Sequence, residues 1–317
     1  MGGLLLTLMV LLAMAAVRTG AQNSSVEARA FLPKLDFFVS TSVVCSFFRS
    51  RQLAMGDLLG TFIGASSSLN VWNPNVEMTN EYSASQITLV SSNLTNLIEI
   101  GWHASTFASL VKFLSFLFYQ VYPLLYEDNE THLFVRWTIL DESGRIGCFN
   151  TNCQGFIQTS TNIIVGLTLD NMVSDLNGTQ YTTALAVLKD GQGDWWVYND
   201  NEKVGYFPFG LLPEMDSGGA AIVSFGGRVL NKWNENRHTY TEMGSGFFPL
   251  AGYGFSAFQV DLVVTDADNV TTKLVGEHLI QLTFDNVGDC YYTYVEQRTG
   301  RLYFGGTGYN PRCQTTT

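Results

Sequence analysis

From about residue 70 onward the chain is written in short runs of apolar and β-branched residues broken by turn formers. "HLFVRWTILDESGRIGCF" (132–149) turns at Asp141 to Gly144. "TTALAVLKDGQGDWWVYND" (182–200) turns at its Gly- and Asp-rich centre. "FQVDLVVTDADNVTTKLV" (258–275) turns at Asp266 to Asn269, and "CYYTYVEQRTGRLYFGG" (290–306) at Thr299-Gly300. Aromatic and β-branched residues fill the runs, as strands prefer. Many short strands with frequent turns predict an all-β fold, an antiparallel β-sandwich rather than a parallel α/β sheet. One stretch departs from this period. "ASTFASLVKFLSFLFYQ" (104–120) sets Phe107, Leu110, Val111, Leu114, Leu117 and Phe118 at helical spacing, which predicts a docked helix. It contains Lys112 and is too short to cross a bilayer.

The first 68 residues read differently. Leu4 to Val17 is a nearly unbroken apolar run, and Thr19-Gly20-Ala21 supplies small residues for cleavage before Gln22. That pattern predicts a secretory signal over 1–21 and no membrane segment in the mature chain. Residues 22–68 show no clear period and end in a Ser-rich, linker-like stretch. A pro-segment, an added piece of the fold and a gene-model artefact all fit them. The main domain is then 69–317.

Composition narrows the function classes. The chain has 317 residues, 46% hydrophobic, enough for one large all-β domain or two smaller ones. Its net charge is −11 with only 17 basic residues, which argues against nucleic acid or an anionic membrane as partner. Outside the cell disulfides persist. Cys148 with Cys153 and Cys290 with Cys313 are the simplest local pairs, leaving Cys45 over. No Cys or His pair has finger spacing and the histidines are scattered, so no metal is expected. Sequons at Asn93, Asn129, Asn177 and Asn269 fit surface loops of a secreted chain.

Within "NLIEIGWH" (96–103) one carboxylate, Glu99, interrupts an apolar run. Alternation places Leu97, Glu99 and Gly101 on one face and Ile98, Ile100 and Trp102 on the other. The segment belongs to a longer series: "VWNPNV", "EYSASQITL", "IEIGWH", "PLLYEDNETHLFVRWT", "GCFNTNCQGFIQT", "GDWWVY", "VGYFP", "FGGRV", "TEMGSGFFP" and "FGGTGYNPRC". In this order they resemble the neprosin family, secreted plant proteins that include a post-proline endopeptidase. The resemblance runs from about residue 70 to Cys313. It implies a sandwich of two large antiparallel sheets, an apoplastic location, disulfides Cys148–Cys153 and Cys290–Cys313, and no cofactor. It also implies a glutamic peptidase acting on proline-containing peptides, with one glutamate in the E-x-GW segment and another in a GG-E-V segment. Family members pass almost directly from GWH to VYP, so Ala104 to Gln120 reads as an insertion or a retained intron.

Peptide hydrolysis by two carboxyl groups needs one ionised, to activate water, and one protonated, to donate. Like charges held close raise one pKa and allow that division. Glu99 matches the first glutamate. The second position holds Arg228 in "FGGRV". Arginine stays protonated in proteins and cannot serve as the acid. Beside Glu99 it would form a salt bridge and favour the ionised carboxylate. Impaired peptidase activity is therefore expected, with Glu242 in "TEMGSG" as the substitute carboxyl best placed in the pattern. Trp102, Trp137 and Tyr206 are candidates for lining a peptide groove, against the plainer role of core packing. The alternative function is a non-catalytic sandwich that binds peptide or wall polymer.

Overall fold

The computed structural model describes residues 51–106, 125–126, 128–141, 144–232, 237–275 and 290–313. The expected signal segment, Cys45 and most of the expected helix at 104–120 lie outside them. Only Ala104, Ser105 and Thr106 of that stretch are described, and Ala104 and Ser105 are strand, opposite Thr131 and Tyr82 respectively.

Each predicted hairpin is present. Thr131–Asp141 (β4) pairs with Gly144–Phe149 (β5), and Thr182–Lys189 (β7) with Trp195–Asn199 (β8). Ala257–Asp266 (β11) pairs with Thr271–Lys273 (β12), and Tyr292–Glu296 (β13) with Arg301–Gly305 (β14). The remaining strands are Arg51–Asn70 (β1), Tyr82–Val90 (β2), Asn96–Ser105 (β3), Ile157–Gln158 (β6), Glu202–Phe207 (β9) and Ala220–Leu230 (β10). Among the described residues, helix is confined to single turns, such as Pro213–Asp216.

The described strands form one hydrogen-bonded antiparallel network, not the two separate sheets expected. Its path is β5-β4-β3-β2-β10-β1-β7-β8-β9-β6, with β11 branching from β1 and carrying β12 and β14. The joint is β1. It pairs with β10 as far as Phe62, shifts register there, and continues between β7 and β11. A strand that changes partners in this way lets a twisted sheet curl onto itself.

The boundary expected between 68 and 69 falls within β1. Ser66 and Ser68, read as linker, are paired on both edges, with Ala186 and Ala184 on β7 and Val263 and Val260 on β11. The stretch looked linker-like because its place in the sheet comes from pairing on both edges, which short polar side chains permit and apolar alternation does not signal.

One face of β2 and β10 packs on the β11–β14 layer. A Cβ on Gly227 would meet the Phe304 ring and the Met243 sulfur. Gln259 of β11 donates to the Gly226 and Gln86 carbonyls, at 3.1 Å each, and to the Ser85 hydroxyl at 3.0 Å. Ile98, Ile100 and Trp102 lie on β3 with no exposed surface, the apolar half of its alternation. The polar half points to the other face.

Candidate active site

Residues directly opposite one another in an antiparallel pair share a face. Register therefore builds a row across β1, β10, β2, β3 and β4: Asp57, Ser224, Thr88, Glu99, Arg136. The next row is Met55, Gly226, Gln86, Gly101, Phe134, and the one after it Leu53, Arg228, Ala84, His103, His132. Gln86 is thus flanked by glycine on both neighbouring strands. Without side chains there, the Arg228 guanidinium can cross β2 and reach Glu99.

It does reach. Arg228 Nη1 donates to Glu99 Oε1, and Arg136 Nη1 donates to Glu99 Oε2 at 2.6 Å. Gln86 Nε2 donates to Glu99 Oε1 at 3.2 Å and to Thr88 Oγ1 at 2.7 Å. The relative exposures of Glu99, Arg136 and Arg228 are 0%, 1% and 3%, so this ion cluster is buried. Each arginine also faces an aromatic ring, Arg136 over Phe149 at 5.1 Å and Arg228 over Tyr82 at 5.4 Å. Tyr82, Ala84, Phe134, Phe149 and Leu230 form an apolar cluster, with Leu125 packed against it. His103 stacks on Phe149. Burial, then the charges of His132 and Arg228, push its imidazole down to about 3, so it is neutral at ordinary pH.

The double glycine before Arg228 has a local cause. Gly226 sits at φ +141°, and a Cβ there would approach the Ala54 carbonyl oxygen to 2.3 Å. Gly226→Ala should cost about 2 kcal/mol or more through strain and overpacking. Urea unfolding measures the loss, and an unchanged midpoint would contradict it.

Two members of the cluster, Arg136 and Gln86, were not singled out by sequence. Arg136 shares the signal that marked Glu99, a charge amid the apolar alternation of "LFVRW". Asp57 was missed too, a lone acid in "LAMGDLLG" within the segment read as outside the domain. It lies three strand spacings from Glu99, about 14 Å, and does not replace the missing glutamate.

Burial pushes the Asp57 carboxyl up to about 7, against the Ser224 hydrogen bond. A carboxyl with a higher pKa folded than unfolded contributes stability that is complete below about pH 4 and lost as pH rises to about 7. Between pH 5 and 7 the unaltered protein should therefore lose about 1 kcal/mol of stability per pH unit relative to Asp57→Asn. Denaturant titrations of both at pH 5, 6 and 7 measure it. Parallel pH dependences would remove Asp57 as the source.

The sequence profile of the Neprosin family matches residues 114–307. The chain belongs to the Neprosin family. Arg136 and Arg228 fall inside the matched stretch and Glu99 precedes it. Among solved structures, this Neprosin-family chain is similar to scytalido-glutamic peptidase with a transition state analog inhibitor. That likeness has a TM-score of 0.41 and 11% identity, over 80% of this chain and 97% of the other. It is also similar to SCP-B, a member of the Eqolisin family, in complex with the tripeptide Ala-Ile-His. Here the TM-score is 0.36 and the identity 12%, over 80% of this chain and 96% of that one. Likeness at such distances says nothing about chemistry.

The other expected site residues of this Neprosin-family protein lie elsewhere. Glu242 accepts from the Asn75 backbone N–H at 2.9 Å, and its carboxyl abuts Gly246. Burial raises its pKa, opposed by the Asn75 bond. Trp102 and Trp137 do not line the Glu99 face, and Tyr206 lies on a distant strand. Trp102 is fully buried on the core face and donates to the Asn70 carbonyl at 3.0 Å. Trp137 is opposite Ile98 and Cys148, on that same buried face. Tyr206 lies against Trp196, its ring tilted with centroids 4.6 Å apart, in β9, beyond β1, β7 and β8. For Trp102 and Trp137 the alternation of the strand turns the ring away from Glu99, and Tyr206 is separated from it by distance along the sheet.

Cys148–Cys153 and Cys290–Cys313 are both disulfide-bonded. His238 lies beside the second bridge, the one grouping of metal-ligating side chains among the described residues, but both its sulfurs are in the disulfide. Asn93, Asn129, Asn177 and Asn269 are all exposed.

Proposed function

We propose that this chain is a secreted, glycosylated Neprosin-family protein of glutamic-peptidase type whose peptide-cleaving activity is lost or strongly impaired. The observation that carries this is the Arg228 guanidinium bonded to the Glu99 carboxylate. A general base must accept a proton from water. Here both carboxylate oxygens are occupied by guanidinium donors, and the cluster is buried. The position expected to supply a protonated acid supplies a permanent cation instead. Removing one acid–base group costs roughly 10²–10⁴-fold in rate. Secretion is supported by two disulfides, which persist in oxidising compartments. Glycosylation is supported by four sequons in exposed positions.

The residual function is binding of a proline-containing peptide, a reading that rests on family membership. The test is incubation of the full mature chain with such a peptide at pH 4–5, read by mass spectrometry of fragments. Expected is no cleavage above the peptide alone. Efficient cleavage that disappears in Glu99→Gln would refute the impairment.

A further inference from the structure

The guanidinium of Arg228 is only partly used. Nη1 bonds Glu99, while Nε and Nη2 are buried with no hydrogen-bond partner. These two nitrogens are not a random pair. In guanidinium geometry Nε–H and Nη2–H lie on one edge and point in parallel, the arrangement that takes both oxygens of a carboxylate. Burying donors without partners is costly, and more so when the group is charged. The one carboxylate on Arg228 is also shared, since Arg136 binds the other oxygen of Glu99. The same face holds further unpartnered buried polar atoms: Gln86 Oε1 and both ring nitrogens of neutral His103.

We propose that the Nε/Nη2 edge of Arg228 is a carboxylate-binding site, converting the position expected to hold a catalytic glutamate into a receptor for an anion. The ligand is a monovalent carboxylate presented side-on. Two sources share that chemistry: a small free carboxylate such as acetate, and the C-terminal carboxylate of a peptide. Only the peptide source rests on the peptide-binding reading above. In either case the pair forms in a buried site, where a charge-assisted fork is strengthened. Because Arg228 is almost fully buried, binding requires local opening.

The test uses the full mature chain at pH 5.5, with calorimetry and thermal unfolding against three probes: acetate, N-acetyl-Ala-Pro with a free carboxylate, and the same dipeptide as its amide. Arg228→Gln removes the charge. Arg228→Lys keeps the charge but lacks the fork, and circular dichroism checks that each variant is folded before binding is compared. The expected result is that acetate binds and stabilises the unaltered protein, with at least tenfold weaker binding in both variants. If the acid dipeptide also binds at least tenfold tighter than the amide, the peptide end is the source. Acetate binding with no dipeptide binding supports a free-anion site and refutes the peptide reading alone. Absence of binding by both carboxylates, or binding that persists in Arg228→Lys and Arg228→Gln, overturns the proposal.

Discussion

Glu99→Ala is expected to destabilise the protein by about 3–5 kcal/mol, the cost of removing one partner from a buried ion cluster. Glu99 accepts from Arg136, Arg228 and Gln86 in a buried setting. Its removal strips a charged partner from both guanidinium groups and leaves a cavity between them. The effect should be milder in the triple replacement Glu99→Leu, Arg136→Met, Arg228→Met, since a buried ion cluster exchanged for apolar groups of similar volume is often neutral or stabilising. Denaturant unfolding of both variants gives the comparison. A loss below about 1 kcal/mol in Glu99→Ala would mean that the cluster is hydrated and contributes little.

Arg228→Glu is expected to raise peptide hydrolysis at pH 4–5 by roughly 10²-fold or more. The substitution removes the cation from Glu99 Oε1 and puts a second carboxyl on the same face, two strands away. Glutamate is shorter than arginine, so a gap opens between the groups where a water molecule can sit. Arg136 remains on Oε2 and favours the ionised form of Glu99. The new carboxyl, facing that negative charge, is driven toward its protonated form. One base and one acid then stand on either side of the gap. Adding Glu99→Gln to this variant should abolish the gain. A folded Arg228→Glu protein without activity would show that the glutamate pairing does not carry over to this chain.

The hairpins were legible in the sequence because each is local. Turn residues and flanking β-branched runs lie within 20 residues of one another, and all four predicted pairs form. Glu99 was legible for a related reason. A period of two residues sets faces without knowledge of the partner strand, and Leu97, Glu99, Gly101 do separate from Ile98, Ile100, Trp102. The groove candidates show the limit of that reasoning. Trp102 and Trp137 were weighed as cleft residues from their aromatic character, although alternation from Glu99 and Arg136 already turned them to the buried face.

β1 was not legible. Its partners are β10, β7 and β11, more than 100 residues away in sequence, and its Ser-rich half carries none of the apolar signal that marks a strand. Arg136 and Gln86 fall between these cases. Their faces could be read from alternation. That they touch Glu99 depends on register, which places Arg136 directly opposite it and sets Gln86 between Gly226 and Gly101.

By itself, then, the sequence determined the all-β antiparallel character, the cysteine pairs, the family resemblance, and the replacement of an expected glutamate by Arg228. These depend on residue identity and short-range periodicity. Only the tertiary structure decided that the strands form one network joined through β1 and that Glu99 is held by two arginines, not one. It alone left the outer edge of Arg228 unpartnered. Those features are set by pairing between strands distant in sequence, and by how far an arginine reaches over a glycine-lined row. No local pattern encodes that distance.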